Sequence, residues 1–362
     1  MKKLIFILPI LCLIFCSESR RDTDWPTFRG NYHRSGYSPD SGPSDNPEII
    51  WRVDLQAAAL SSPIIADGRM YLGYHQGMIS ADPYSGEVHW SISTEGKVFS
   101  TPTCYQGDIV FGSWDKNIYR LEGNNGDMIW TSLFPAAVDC SPVIVEDEIY
   151  VGDFTGLFTT VKFNNGNVGR IFPTRGWIVG SAAFDGETFY FGSRDSIFYA
   201  LSKDSFKPEW EFFTGGDISC TPAIDTERVY FGANNMKLFS LDRITGEQIW
   251  EFNTGGAMFS SPALFNEKLF CGSTDSTVYC LFKSTGEEIW RYRTDGIIYS
   301  SAAVCGNRIY IGCHDGYIYA LDTETGGLVW REFLGAPVTS SPAIYDDMLI
   351  VASDNGAVFA FR

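Results

Sequence analysis

Histidine, cysteine and carboxylate side chains are the groups in this sequence that could carry metal, nucleophilic or acid–base chemistry, and their spacing supports none of the three. Four histidines occur, at 33, 75, 89 and 314. None stands in a His-Glu-x-x-His or comparable ligand spacing. His75 and His314 take the same turn position in different copies of a repeat and read as surface turn residues. Asp115, Asp195, Asp275 and Asp315 also recur at hairpin turns, where a short carboxylate accepts local backbone N–H groups. They read as turn formers. The chain has no Gly-x-Ser-x-Gly elbow, no phosphate loop and no dinucleotide fingerprint. No catalytic, cofactor-binding or metal-binding residue is therefore expected.

The nine cysteines point the same way. Cys140 and Cys220 replace the first Ser of a repeated Ser-Ser-Pro step, Cys280 replaces an Ala and Cys313 a Ser. Cysteines standing in for small residues at no paired spacing look like core substitutions, not a disulfide framework. No Cys-x-x-Cys occurs, so neither zinc nor redox chemistry has a motif.

The formal net charge of −17 sets the field around whatever these residues do. So acidic a surface repels phosphate backbones, and a nucleic-acid partner is not expected. Attachment to anionic lipid through a basic patch is disfavoured for the same reason. The N-terminus reads as an export signal over residues 1–19: Lys2 and Lys3, an apolar stretch from Leu4 to Phe15, then Ser17 and Ser19. The apolar stretch is too short for an ordinary transmembrane helix. Leu13-Ile14-Phe15-Cys16 resembles a bacterial lipobox in its Leu and its Cys, which makes Cys16 a lipidation candidate. Phe15 departs from that pattern, because a small residue is usual there; cleavage near Ser19 is the alternative. The expected location is the periplasm, with any membrane contact made through an N-terminal lipid.

The elements that hold the remaining residues are set by an internal period. Trp occupies 51, 90, 130, 210, 250, 290 and 330, and Arg170 sits where an eighth marker is missing. A Ser-Ser-Pro-like step recurs at 61–63, 100–102, 140–142, 180–182, 220–222, 260–262, 300–302 and 340–342. The seventh copy is the most complete: Ile309-Tyr310-Ile311-Gly312, Asp315-Gly316, Tyr317 to Asp322, Thr325-Gly326 and Trp330. Each copy reads as four short antiparallel strands with tight turns between them. Four strands per copy in eight copies predict an all-β, eight-bladed propeller over residues 48–362. The last copy lacks a Trp strand, and residues 48–54 form a Trp strand with no inner partners. That N-terminal strand is expected to complete the eighth blade and close the ring.

Ala320-Leu321-Asp322-x-x-Thr325-Gly326-x-x-x-Trp330 resembles the tryptophan-docking motif of pyrroloquinoline-quinone (PQQ) propeller repeats, with similar copies at 240–250 and 280–290. The resemblance covers roughly residues 25–362. It implies that Trp51, Trp90, Trp130, Trp210, Trp250, Trp290 and Trp330 are structural, each packed between neighbouring blades. Asp24-Trp25-Pro26-Thr27-Phe28-Arg29-Gly30 and Gly36-Tyr37-Ser38-Pro39 resemble the family's lead-in, which is expected to lie across the propeller within a 20–47 tether and pack Trp25 and Phe28 onto it. The fourth copy and its border depart most from the pattern, with Arg170 for Trp at the border, Gly180-Ser181-Ala182 for Ser-Ser-Pro, and Phe206 for the turn Gly; the copy reads as worn, and a contact surface is the alternative.

Two functions follow from that resemblance. PQQ-dependent alcohol dehydrogenases share the propeller and bind the quinone with Ca²⁺ at its axis, but they are longer, with large insertions and, in several, adjacent cysteines. This chain has short loops, no Cys-Cys pair and no visible acidic cage. In size and plan it is more similar to the BamB-like lipoproteins, scaffold subunits in outer-membrane β-barrel assembly. The expected function is a monomeric, non-enzymatic, exported protein-binding scaffold, with a barrel-assembly protein as partner; a general periplasmic or surface ligand-binding propeller is the alternative. The candidate binding residues precede the Ser-Ser-Pro steps, near the central channel: Leu60, Phe99, Asp139, Val179, Ser219, Phe259, Tyr299 and Thr339, with Lys97 and Trp177 two residues earlier in their copies. They either line an aromatic mouth for an extended peptide or pack together and fill the channel.

Overall fold

Short β-branched and aromatic runs, punctuated by turns, form eight four-stranded antiparallel blades in a computed structural model that describes residues 24–362, and Tyr37–Ser38 adds a fifth, parallel strand to the inner edge of the seventh. In the first blade the strands run outward from the centre as Ile64–Ala66, Arg69–Tyr74, Gly77–Ala81 and Val88–Ser93. The next six blades repeat that order. The eighth takes Ala343–Tyr345, Met348–Ala352 and Ala357–Phe361 from one end of the chain and Ile49–Asp54 from the other. The ring closes as the repeat arithmetic requires. Regular structure among the described residues is entirely β-strand, and no helix is long and apolar enough to cross a membrane. Residues 1–23, with Cys16 and the expected export signal, lie outside the described residues.

The inner three strands of each blade are almost fully buried, and the outer strand alternates. Each outer strand carries a bulge next to its marker residue, so that Trp290 faces Cys280 while Glu288 already faces Leu281. The extra residue turns the indole out of the blade and onto the next one. There its Nε1 donates to a turn carbonyl: Trp51 to Pro83 at 2.9 Å, Trp90 to Gly123 at 2.8 Å, Trp130 to Phe163 at 2.9 Å, Trp210 to Arg243 at 3.1 Å, Trp250 to Lys283 at 2.8 Å and Trp290 to Thr323 at 3.1 Å. The turn glycine lies flat beneath the ring. At Gly246, with φ of 73°, a Cβ would stand 2.5 Å from Trp210, so only glycine permits the contact. Among the described residues none accepts from Trp330 Nε1. In the eighth blade the third and outer strands come from opposite ends of the chain, so no connecting turn lies beneath this indole.

At the border of the third and fourth blades the two departures compensate each other. Arg170 fills the vacant Trp slot and donates from Nη1 to the Lys203 carbonyl at 2.6 Å, the carbonyl equivalent to those the tryptophans use. Its guanidinium lies 4.6 Å from the centre of the Phe206 ring. It also reaches Glu148 at 2.8 Å and the Tyr150 hydroxyl at 3.1 Å. Phe206 is buried and adopts φ of 53° in place of the usual glycine. A Trp-on-Gly dock has been exchanged for an Arg-on-Phe cation–π dock, both partners changing together. Arg170→Trp alone is therefore expected to cost about 1–3 kcal/mol by overpacking against Phe206. Adding Phe206→Gly should recover most of that loss, with a coupling of about 1–2 kcal/mol in a denaturant double-mutant cycle. Additive single effects would mean that the two residues are not one unit.

A hydrogen-bonded ring joins the blades at the centre. The second residue of every Ser-Ser-Pro-like step donates its backbone N–H to the hydroxyl of the equivalent residue one blade on: Ser62 to Thr101, Thr101 to Ser141, Ser141 to Ser181, Ser181 to Thr221, Thr221 to Ser261, Ser261 to Ser301, Ser301 to Ser341, and Ser341 back to Ser62, at 2.8–3.2 Å. The recurrence of Ser or Thr at this position is thus a closure requirement. The seven cysteines of the described region are all buried as thiols. Cys140 keeps its serine-like place by donating to the Gly180 carbonyl at 3.2 Å.

Candidate functional site

The channel through the ring is blind. Residues 25–38 curl across one end of it and bond to the inner strands of six blades. Trp25 pairs with Ile65; Cys104 N donates to Pro26 O, Phe184 N to Tyr32 O, Ile224 N to His33 O, Leu264 N to Ser35 O and Val304 N to Gly36 O. Two arginines fix this plug. Arg29 donates to the carbonyls of Ala302 at 2.8 Å, Pro262 at 2.6 Å and Arg34 at 3.3 Å. Arg34 donates to Ala182 O at 3.0 Å, Phe28 O at 2.6 Å and the Thr27 hydroxyl at 2.8 Å. Trp25 is buried, and Phe28 forms the channel floor.

Above Phe28 a cavity of about 380 Å³ opens at the opposite end. Its wall is the ring of eight hydroxyls, and its mouth is formed by Leu60, Phe99, Asp139, Val179, Ser219, Phe259, Tyr299 and Thr339. The repeat register brings all eight of these sequence-selected residues to one place. They do not fill the channel. Leu60, Phe99, Asp139, Val179, Phe259 and Thr339 remain partly exposed, Tyr299 is exposed and Ser219 is buried.

Lys97 and Trp177 stand on the rim, outside the cavity lining. With residues the sequence reading passed over they build an aromatic arc: Phe99 lies 4.6 Å from Trp114, Trp114 5.9 Å from Phe154, and Phe154 stacks in parallel on Trp177 at 4.8 Å. Cations cap both tryptophans, Lys97 at 5.9 Å over Trp114 and Arg194 at 5.0 Å over Trp177. Across the mouth, Phe259 and Tyr299 pack at 5.3 Å, with His314 6.1 Å from Tyr299. Trp114, Phe154, Arg194 and His314 share one repeat position, two residues after the glycine that ends the second strand. Large aromatics in a turn position that is usually polar were the signal available for Trp114 and Phe154.

Asp139 is the one carboxylate among the lining residues. It accepts from Trp114 Nε1 at 3.1 Å. Burial pushes its carboxyl up to about 6, against the Trp114 hydrogen bond and the Arg194 charge, which favour the ionised form. Arg194 also donates to the Ser219 hydroxyl at 3.2 Å. Among the described residues no group of three or more His, Cys, Asp or Glu is placed to hold a metal ion. A lining with one carboxylate does not fit a calcium-linked quinone.

Residues 109–362 match the family model described as "Beta-alanine-activating enzyme, beta-propeller", which is more than half of the chain. The chain belongs to this propeller family. Residues 44–171 of this member of the beta-alanine-activating enzyme propeller family also match the model described as "Outer membrane protein assembly factor BamB". The BamB of Moranella endobia is 23% identical over 137 residues, which are 33% of this chain and 35% of that relative. The BamB of Nitrosomonas eutropha is 26% identical over 125 residues, 33% of this chain and 31% of the relative. The chain thus matches about a third of the length of these relatives. The crystal structure of BamB from Moraxella catarrhalis superposes with a TM-score of 0.75 at 18% identity, covering 88% of this chain and 100% of that one. A europium-containing methanol dehydrogenase superposes with a TM-score of 0.82 at 13% identity, covering 94% and 98%. At those identities the structural likeness is one of fold. The chain is a PQQ-like propeller, close in plan to BamB.

Proposed function

We propose that this chain is an exported, non-enzymatic protein-binding propeller that takes part in outer membrane protein assembly, with a partner segment received at the open mouth of its channel. The observation that carries the reading is the mouth itself. Trp114 and Trp177 are 41% and 46% exposed, beside a cavity sealed at its far end. Exposed indoles gathered at one concave site are the residues from which binding hot spots are made. The relatives named as outer membrane protein assembly factors support the choice of partner class.

A photo-reactive residue placed at Tyr299, compared with one on the outer strand at Glu251, tests the reading in membrane-processed protein. Capture of a barrel-assembly protein at the mouth position, and not at Glu251, is the expected result. The double variant Phe99→Ala, Phe259→Ala, carrying the same photo-reactive residue at 299, should lose that capture while its melting changes little, because these two side chains are partly solvated already. A variant that loses stability yet keeps its partner would refute the mouth.

A further inference from the structure

A chain segment that enters a blind cavity must either turn back or end there. About 380 Å³ lies within the range of small-ligand sites and leaves little room for two antiparallel strands of a loop. What the wall offers decides which kind of end fits.

Each of the eight ring hydroxyls accepts one backbone N–H and, among the described residues, donates to no protein group. Every hydroxyl still carries a proton. The wall therefore presents O–H donors on all sides. Directly beneath lie Arg29 and Arg34, both buried, whose guanidinium groups bond to the carbonyls of Pro262, Ala302 and Ala182. Those are the residues that follow Ser261, Ser301 and Ser181 of the ring. Among the described residues neither arginine has a carboxylate partner, and Arg34 Nη2 has no hydrogen-bond partner. Burial and their mutual repulsion lower Arg29 to about 9, and burial lowers Arg34 to about 10, so both stay charged at neutral pH. Two buried cations below a circle of O–H donors set a positive potential at the base of the cavity, in a medium that screens it poorly. A terminal ammonium is repelled there and a carboxylate is held.

We propose that the channel is a socket for a carboxylate carried on an apolar body, most directly the C-terminus of a partner chain, with the head among the ring hydroxyls and the adjoining side chain against Phe99, Phe259 and Tyr299. The inference rests on the reading of the mouth as a partner site and adds the direction in which the partner enters. Asp139 opposes such a head at the mouth, where Arg194 is the cation facing it and the Cys140 thiol its neighbour.

Quenching of the rim tryptophans by short peptides ending in phenylalanine tests this, with each peptide made both as the free acid and as the C-terminal amide. The free acid should bind more than about tenfold tighter than the amide, the worth of one charge-assisted hydrogen bond. Asp139→Asn should widen the preference for the acid over the amide severalfold. Equal affinity for acid and amide would overturn the carboxylate head while leaving the mouth reading intact. Benzoate binding as tightly as the peptide acid would keep the carboxylate site and overturn the polypeptide as its source. Failure of peptides and benzoate alike, with the mouth still capturing its partner, would overturn the socket alone.

Discussion

Deletion of residues 48–54 is expected to remove cooperative melting altogether, a far larger loss than its length suggests. Ile49–Asp54 is the outer strand of the eighth blade and pairs with Ala357–Phe361. Glu48 and Arg362 exchange two backbone hydrogen bonds at 3.0 and 3.1 Å. Trp51, 8% exposed, docks on the first blade through Pro83 and Gly86. Removing a buried Trp alone costs about 3–5 kcal/mol. Each lost backbone hydrogen bond adds about 1 kcal/mol. The sum is comparable with the whole stability of an ordinary domain, about 5–15 kcal/mol. Trp250→Ala is the control, since it empties one dock but leaves every strand in place. Circular dichroism melts of the two variants check the expectation, and similar midpoints would show that the seam does not hold the ring.

Arg29→Ala should destabilise the protein by about 3–5 kcal/mol, the cost of breaking a buried polar network. Two effects oppose each other here. Removing the charge relieves its burial and its repulsion with Arg34, which favours the variant. Against this, the carbonyls of Pro262, Ala302 and Arg34 lose a buried donor, at about 1–3 kcal/mol for each group left unsatisfied. The site is also tightly packed: a Cβ on Gly36 would stand 2.2 Å from Arg29 Nη2, so truncation leaves a hole. The losses outnumber the relief. Arg29→Met restores volume without donors and should fall between wild type and Arg29→Ala in denaturant titrations. A variant as stable as wild type would mean that the plug is held by its backbone bonds alone.

The recurrence of Trp and of Ser-Ser-Pro was enough to find the blades, the closing strand and the eight mouth residues, because one period fixes the register of every strand at once. Position within the repeat then tells which residues face the channel. The Arg170–Phe206 exchange was read as wear because its two halves sit in different blades, and each looks like damage when seen alone. Trp114 and Phe154 were passed over because a turn position ordinarily holds polar residues; only their stacking with Phe99 and Trp177 makes them a surface.

What the sequence determined by itself was whatever depends on local pattern: alternation, turn residues, and a marker every blade. The tertiary structure decided what depends on closure. Arg29 and Arg34 look in sequence like ordinary charges of a tether, yet the ring buries both, bonds them to carbonyls from three blades and, among the described residues, gives them no anion. Eight hydroxyls far apart in the chain become one circle of donors for the same reason. Burial and electrostatic potential are properties of the assembled ring, since they depend on which distant groups exclude water from one another, and no single repeat contains that information.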